Sequence, residues 1–224
     1  LSASMIFDHN SRRLLRFTSW LTALVLLSAC GAKQVVVQGQ FPSPLMDRLP
    51  LTLGVWYMED FAKHEFFDES KSKKESDWIV KTGEAQVKMW DTLLSGMFEN
   101  LVHLQAKPDP DTMNQVVDAV LIPHVEELQY AIPTHTHIKV YEIWFRYRFE
   151  LVSASGDPIA EWSMTAYGKT PTAFMQSDEA AVNLAAVMAL RDAGANFVVN
   201  FSRVPDVQQW LQLKRGGQEE ADHG

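Results

Sequence analysis

Apolar and polar residues alternate most regularly between positions 143 and 151. Ile143, Phe145, Tyr147, Phe149 and Leu151 take every second place, with Trp144, Arg146, Arg148 and Glu150 between them. A period of two predicts a half-buried antiparallel strand. Ser155-Gly156-Asp157-Pro158 is turn chemistry, and Ala160, Trp162, Met164 and Ala166 resume the alternation, so 143–166 reads as a hairpin. A further strand is expected at 51–58, where Leu51, Leu53, Val55 and Tyr57 share a face. Two apolar runs, 116–122 and 125–132, flank Pro123, which cannot donate to a ladder and so predicts a bulge or an edge there.

Helical spacing appears twice. Val87, Trp90, Leu94, Met97, Phe98 and Leu101 recur at intervals of three and four and predict an amphipathic helix over 84–103. Ser177 is a good N-cap, and Asp178 and Glu179 favour the positive end of a helix running to about 201. Its alanine-rich first half suits close approach to a sheet. Pro205 can start a short terminal helix carrying Val207, Trp210 and Leu211, and 214–224 is expected to be disordered. The charged stretch 59–81 reads as a long loop. Within 30–50, Val35-Val36-Val37 and three prolines fit either a stiff tether or a short edge strand. The expected fold is α+β: an antiparallel sheet of about four strands with two helices on one face, in the order β-α-β-β-β-α, plus a short C-terminal helix.

Charge and cysteine usage narrow the function. The 224-residue chain carries a net charge of −8. Phosphate backbones and anionic headgroups repel such a protein, which argues against nucleic acid as a partner and against a polybasic membrane patch. Cys30 is the single cysteine. Arg12, Arg13 and Arg16 precede an apolar run over 17–27, which ends in Leu27-Ser28-Ala29-Cys30-Gly31. The run is too short for a permanent span, which needs about 20 residues. This order of charged, apolar, small and cysteine resembles a bacterial lipoprotein signal peptide with its lipobox. The resemblance implies that 1–29 is removed and that Cys30 carries a diacylglyceryl group and an acylated amino terminus. Residues 30–50 would then be the tether and 51–213 a single periplasmic domain. A chain of about 195 residues buries about 70% of the surface it would expose unfolded, enough for one core. Acylation of Cys30 would leave no thiol for a disulfide, a zinc site or a nucleophile.

Candidate chemistry is sparse. His135 and His137 have strand spacing and His124 lies on a neighbouring strand, but no carboxylate cluster accompanies them, and no metal or other cofactor is assigned. His64 sits among Glu65, Asp68 and Glu69 in charged sequence that reads as solvated. Glu126-Glu127 and Asp109/Asp111 lack the apolar surroundings that raise a carboxyl pKa. Ser70-Lys71-Ser72-Lys73 and Lys81-Thr82-Gly83 match two serine-acylase patterns, without the third. No catalytic residue is assigned. Trp144, Arg146 and Arg148 face away from the predicted helices. They read either as an ordinary solvated face or as a partner-binding face, since Trp and Arg are favoured anchors. Trp56 and Trp78 would extend that face or belong to the core.

The lipobox together with this element order makes the chain similar to auxiliary lipoproteins of lipopolysaccharide transport and of intermembrane lipid transport. Leu49-Pro50-Leu51-Thr52-Leu53-Gly54-Val55 resembles a stretch of uncharacterised proteobacterial lipoproteins. The resemblance implies a non-enzymatic accessory subunit that binds an envelope protein, with a carrier or sensor of a small or lipidic ligand as the alternative. Gly31, in place of a retention-favouring aspartate, implies the outer membrane, with the domain on its periplasmic face.

Overall fold

The computed structural model describes residues 32–68, 77–109, 117–132, 140–171 and 177–222. Cys30 and its lipobox, the Ser70 to Lys73 pattern, Asp111, His135 and His137 lie outside them. The chain runs β1 (Lys33–Val36), β2 (Leu49–Val55), α1 (Glu59–Ala62), β3 (Glu65–Asp68), β4 (Trp78–Lys81), α2 (Gly83–Met97), β5 (Phe98–His103), β6 (Ala119–Ala131), β7 (Val140–Val152), β8 (Pro158–Pro171), α3 (Asp178–Asn200), a 3-10 turn (Phe201–Arg203) and α4 (Pro205–Asp222).

The α+β class holds, but the expected antiparallel sheet of about four strands is corrected to two sheets. The larger has five strands in the order β5-β2-β6-β7-β8, and the smaller three in the order β1-β4-β3. β2 is parallel to both β5 and β6, whereas β6, β7 and β8 form an antiparallel meander. β1 joins β4 in parallel and β3 joins β4 antiparallel. Of the two readings of 35–37, the strand is the one found.

The helix expected over 84–103 stops at Met97. Phe98 turns to φ −117°, ψ 152°, and the six residues from Phe98 to His103 become β5. Phe98 and Leu101 satisfied the helical spacing by coincidence, and pairing beside β2 overrides that local preference. The stretch read as one loop over 59–81 contains α1, β3 and β4, pieces of four residues each and too short to display a period. The terminal helix continues past Gly216 to Asp222, beyond the limit expected for it.

The hairpin lies where the alternation put it, with Phe149 opposite Trp162 and Trp144 opposite Tyr167. Gly156 takes φ +86° in its turn, a backbone region that glycine enters without strain. β6 bulges between Val125 and Glu127, just after Pro123. β2 accompanies β6 only as far as Leu121, so the proline occupies a stretch with one open edge.

The core lies between the sheets and the helices. Ser177 Oγ caps α3, accepting from the Ala180 N–H at 3.2 Å. Trp90 of α2, Tyr147 and Phe149 of β7 and Phe197 of α3 are fully buried and meet with ring centroids 5.0 to 5.9 Å apart. α3 is apolar and long enough to cross a membrane, yet half of its most apolar stretch is buried within the fold, as in a core helix. The small sheet closes against the far end of β6. Phe66 and Trp78 approach Tyr130, whose hydroxyl donates to Asp68 Oδ2 at 2.7 Å.

Candidate functional site

The outer face of β6, β7 and β8 carries the side chains singled out above. Because Phe145, Tyr147 and Phe149 point into the core, Trp144, Arg146 and Arg148 are forced to the opposite side. There Trp144 lies over Tyr167 with centroids 5.1 Å apart, and the Tyr167 hydroxyl donates to Glu142. Burial, followed by that carboxylate, pushes the Tyr167 hydroxyl up to about 12, so it remains a donor at neutral pH. A hollow of about 170 Å³ opens beside Trp144, lined by Glu127, Gln129, Arg146 and Thr165 among others.

The two arginines differ. Arg148 bonds Glu150 and lies 3.4 Å from Glu126 and 3.7 Å from Glu161. Burial opposes ionisation of Glu150, but the Arg148 hydrogen bond and the charges of His124 and Arg148 outweigh it and hold the carboxyl below its usual value. His124 Nε2 stands 3.0 Å from the same Glu150 oxygen, an ion pair when the imidazole is protonated. Among the described residues Arg146 has one loose ion pair, 3.7 Å to Glu127, and its side chain is 55% exposed. Arg148 is therefore held within the face, while Arg146 is available at its surface. The same register accounts for Glu126 and Glu127, which serve as partners of these arginines.

The other sequence candidates separate. Trp78 is core, whereas Trp56 is half-buried beside Val120, Ile122 and Val152 on the outer side of the large sheet. His64 is not in a solvated loop: its Nδ1 lies 2.7 Å from Thr82 Oγ1, which also accepts from Gln86 Nε2 at 2.9 Å. Burial lowers its pKa against the pull of Asp60 and Glu65. Thr82 is fully buried in this junction, which gives the Lys81-Thr82-Gly83 pattern a packing role. No group of three or more His, Cys, Asp or Glu suited to a metal occurs among the described residues.

Two features escaped the sequence reading. Asp91 of α2 accepts from the Tyr57 hydroxyl at 2.8 Å and lies 2.7 Å from His103 Nε2, tying the ends of the parallel strands β2 and β5 to a helix. Burial, then Asp91, raises the Tyr57 pKa. No motif announces this set, because it depends on β5, which the helical spacing concealed. The second is an apolar cleft of about 320 Å³ between α2, α3 and the segment 41–45, lined by Phe41, Pro44, Met89, Leu93, Val198 and Val199 among others. Leu45 at its rim is fully exposed.

No family model matches the sequence, and no curated protein is significantly similar to it. Solved structures with related arrangements include a Xanthomonas campestris protein of the DUF330 family, 14% identical, covering 82% of this chain and 99% of its own, with a TM-score of 0.47. A minor lipoprotein of Acinetobacter baumannii is 13% identical over 70% of this chain and 94% of its own, with a TM-score of 0.36. Uncharacterised lipoprotein B of Nitrosomonas europaea is 14% identical over 75% and 91%, with a TM-score of 0.32. At these levels the likeness carries no residue and no role over to this chain.

Proposed function

We propose that this chain is a non-enzymatic accessory subunit of a Gram-negative envelope assembly or transport machine. Acyl chains on Cys30 hold it on the periplasmic face of the outer membrane, and it binds a protein partner through the face around Trp144, Arg146 and Arg148. The supporting observation is that α3 covers one side of the long β7–β8 hairpin, while the other side presents Trp144 and the exposed Arg146. Trp and Arg are the side chains that most often anchor an interface. Arg148, already neutralised by its glutamates, keeps the face in shape. The ring cluster around Trp90 fills the space between sheet and helices, which favours this reading over a carrier with its ligand held there. The cleft beside Leu93 and Val198 supports the alternative, a small apolar or lipidic ligand bound between the helices; its volume lies at the lower end of about 300–1,000 Å³ for ligand pockets.

Trp144→Ala combined with Arg146→Glu should leave the melting temperature nearly unchanged and weaken capture of the envelope partner from crosslinked membranes. Loss of one anchor of this kind costs about 2 kcal/mol or more. Undiminished capture by the double variant would remove this face from consideration, and a co-purifying lipid displaced by Leu93→Trp would transfer the function to the cleft. The anchor has its own test. Cys30→Ala should abolish acyl labelling and leave an uncleaved precursor; a Cys30→Ala chain that matures and fractionates with the outer membrane would refute the lipoprotein reading.

A further inference from the structure

The outer face of the small sheet sets exposed apolar side chains beside paired charges. Register places Phe67, Ile79 and Gln34 in one row across β3, β4 and β1, with Glu65, Lys81 and Val36 in the next. Phe67 is 56% exposed and Val36 44%, two large apolar side chains in water on the same few strands. Among the described residues the charges on this face cancel, since Lys81 lies 3.6 Å from Glu65. On a chain of net charge −8, this neutral apolar area is where an anionic surface meets little repulsion.

The position of this face relative to the anchor identifies its occupant. Lys33, the first residue of β1, stands three positions after Cys30, and three such steps span at most about 10 Å. Lys33 is paired into the sheet beside Trp78, its backbone N–H donating to the Asp77 carbonyl at 2.7 Å. Its Nζ is 2.9 Å from Asp178 Oδ2 and 3.8 Å from Glu179, and it lies 4.9 Å from the Trp78 ring centre. The start of β1 is therefore fixed to the first turn of α3, and whatever holds Cys30 holds this corner of the domain.

We infer that the outer face of the three-stranded sheet rests on the phospholipid bilayer, with Phe67, Ile79 and Val36 seated at the headgroup boundary; this rests on the acyl-anchor reading of Cys30. Apolar side chains beside a lipid anchor supply the second attachment that turns a tether into a fixed orientation. Two strand spacings, about 10 Å, separate β1 from β3, so Phe67 reaches the bilayer only if the sheet lies along it.

The test uses the acylated full chain on vesicles of phosphatidylethanolamine and phosphatidylglycerol that carry a shallow nitroxide lipid. With Cys30 acylated, a fluorophore can be placed at Glu65→Cys, at Ser163→Cys on the outer face of the large sheet, or at Ser202→Cys beyond the far end of α3. Quenching at position 65 should exceed that at 163 and 202 several-fold, and Phe67→Glu with Ile79→Glu should remove the excess. Equal quenching at 65 and 202 on a protein that floats with the vesicles would overturn the seated sheet and leave the anchor standing. Strongest quenching at 163 would give the bilayer the other face and overturn the inference as well. A chain whose mass shows no acyl groups and which does not float would overturn the anchor and the inference with it.

Discussion

Phe149→Ala is expected to destabilise the domain by about 3–5 kcal/mol, read as a lowered midpoint in a urea melt. Phe149 is fully buried and touches four other rings: Trp90 at 5.1 Å, Phe197 at 5.1 Å, Trp162 at 5.2 Å and Tyr147 at 5.9 Å between centroids. These rings come from α2, α3, β7 and β8, so the vacated volume sits where several elements meet and no single one can collapse into it. Arg148→Ala, one residue away on the outer face, should stay within about 1 kcal/mol, because its ion pairs are partly solvated. The reverse ranking would show that the two faces of β7 had been exchanged.

Gly168→Ala is expected to be among the most damaging single-methyl changes. A Cβ at this position in β8 would lie 2.1 Å from the Ala185 carbonyl oxygen and 2.3 Å from the Ala189 amide nitrogen. Both are backbone atoms of α3, so no rotamer change relieves the contact and the helix has to lift from the sheet. Overpacking typically costs about 1–3 kcal/mol, and a clash with backbone places this substitution at or above the upper end. Ala185 and Ala189 are fully buried for the same reason: small residues on both surfaces let α3 lie directly on β8. Gly216→Ala, inside α4 with open space around it, should not lower the melting temperature and by helix propensity should add up to about 1 kcal/mol of stability.

The parts of the fold readable from sequence were those stabilised by their own neighbours. Alternation over 143–151 located β7 and its core face, and the Ser177 cap located the start of α3, since each signal is local and repeated. The parallel pairings were hidden because they join distant segments: β1 with β4, β2 with β5 and β6. Phe98 and Leu101 were assigned to a helix because three-residue spacing also occurs by accident in a short strand. The outer-face residues were legible as a set, but their inequality was not. Only the register that brings Glu126, Glu150 and Glu161 around Arg148 separates it from Arg146. The Asp91 set and the cleft between the helices required the tertiary arrangement itself.

The strap over 33–40 also sets an order of folding. Lys33 binds Asp178, the Gln38 amide donates to Asn183, and Arg191 donates to the Gln40 carbonyl, at separations of 145, 145 and 151 residues. Contacts of such span carry a large loop-closure cost and form late. A chain emerging amino terminus first presents this segment at the outset, yet its seat does not exist until α3 has followed. The first strand can find its ladder partner once β4 has emerged, but its seat on α3 must wait for almost the whole length of the protein, and a chain truncated before residue 178 would leave it without that place.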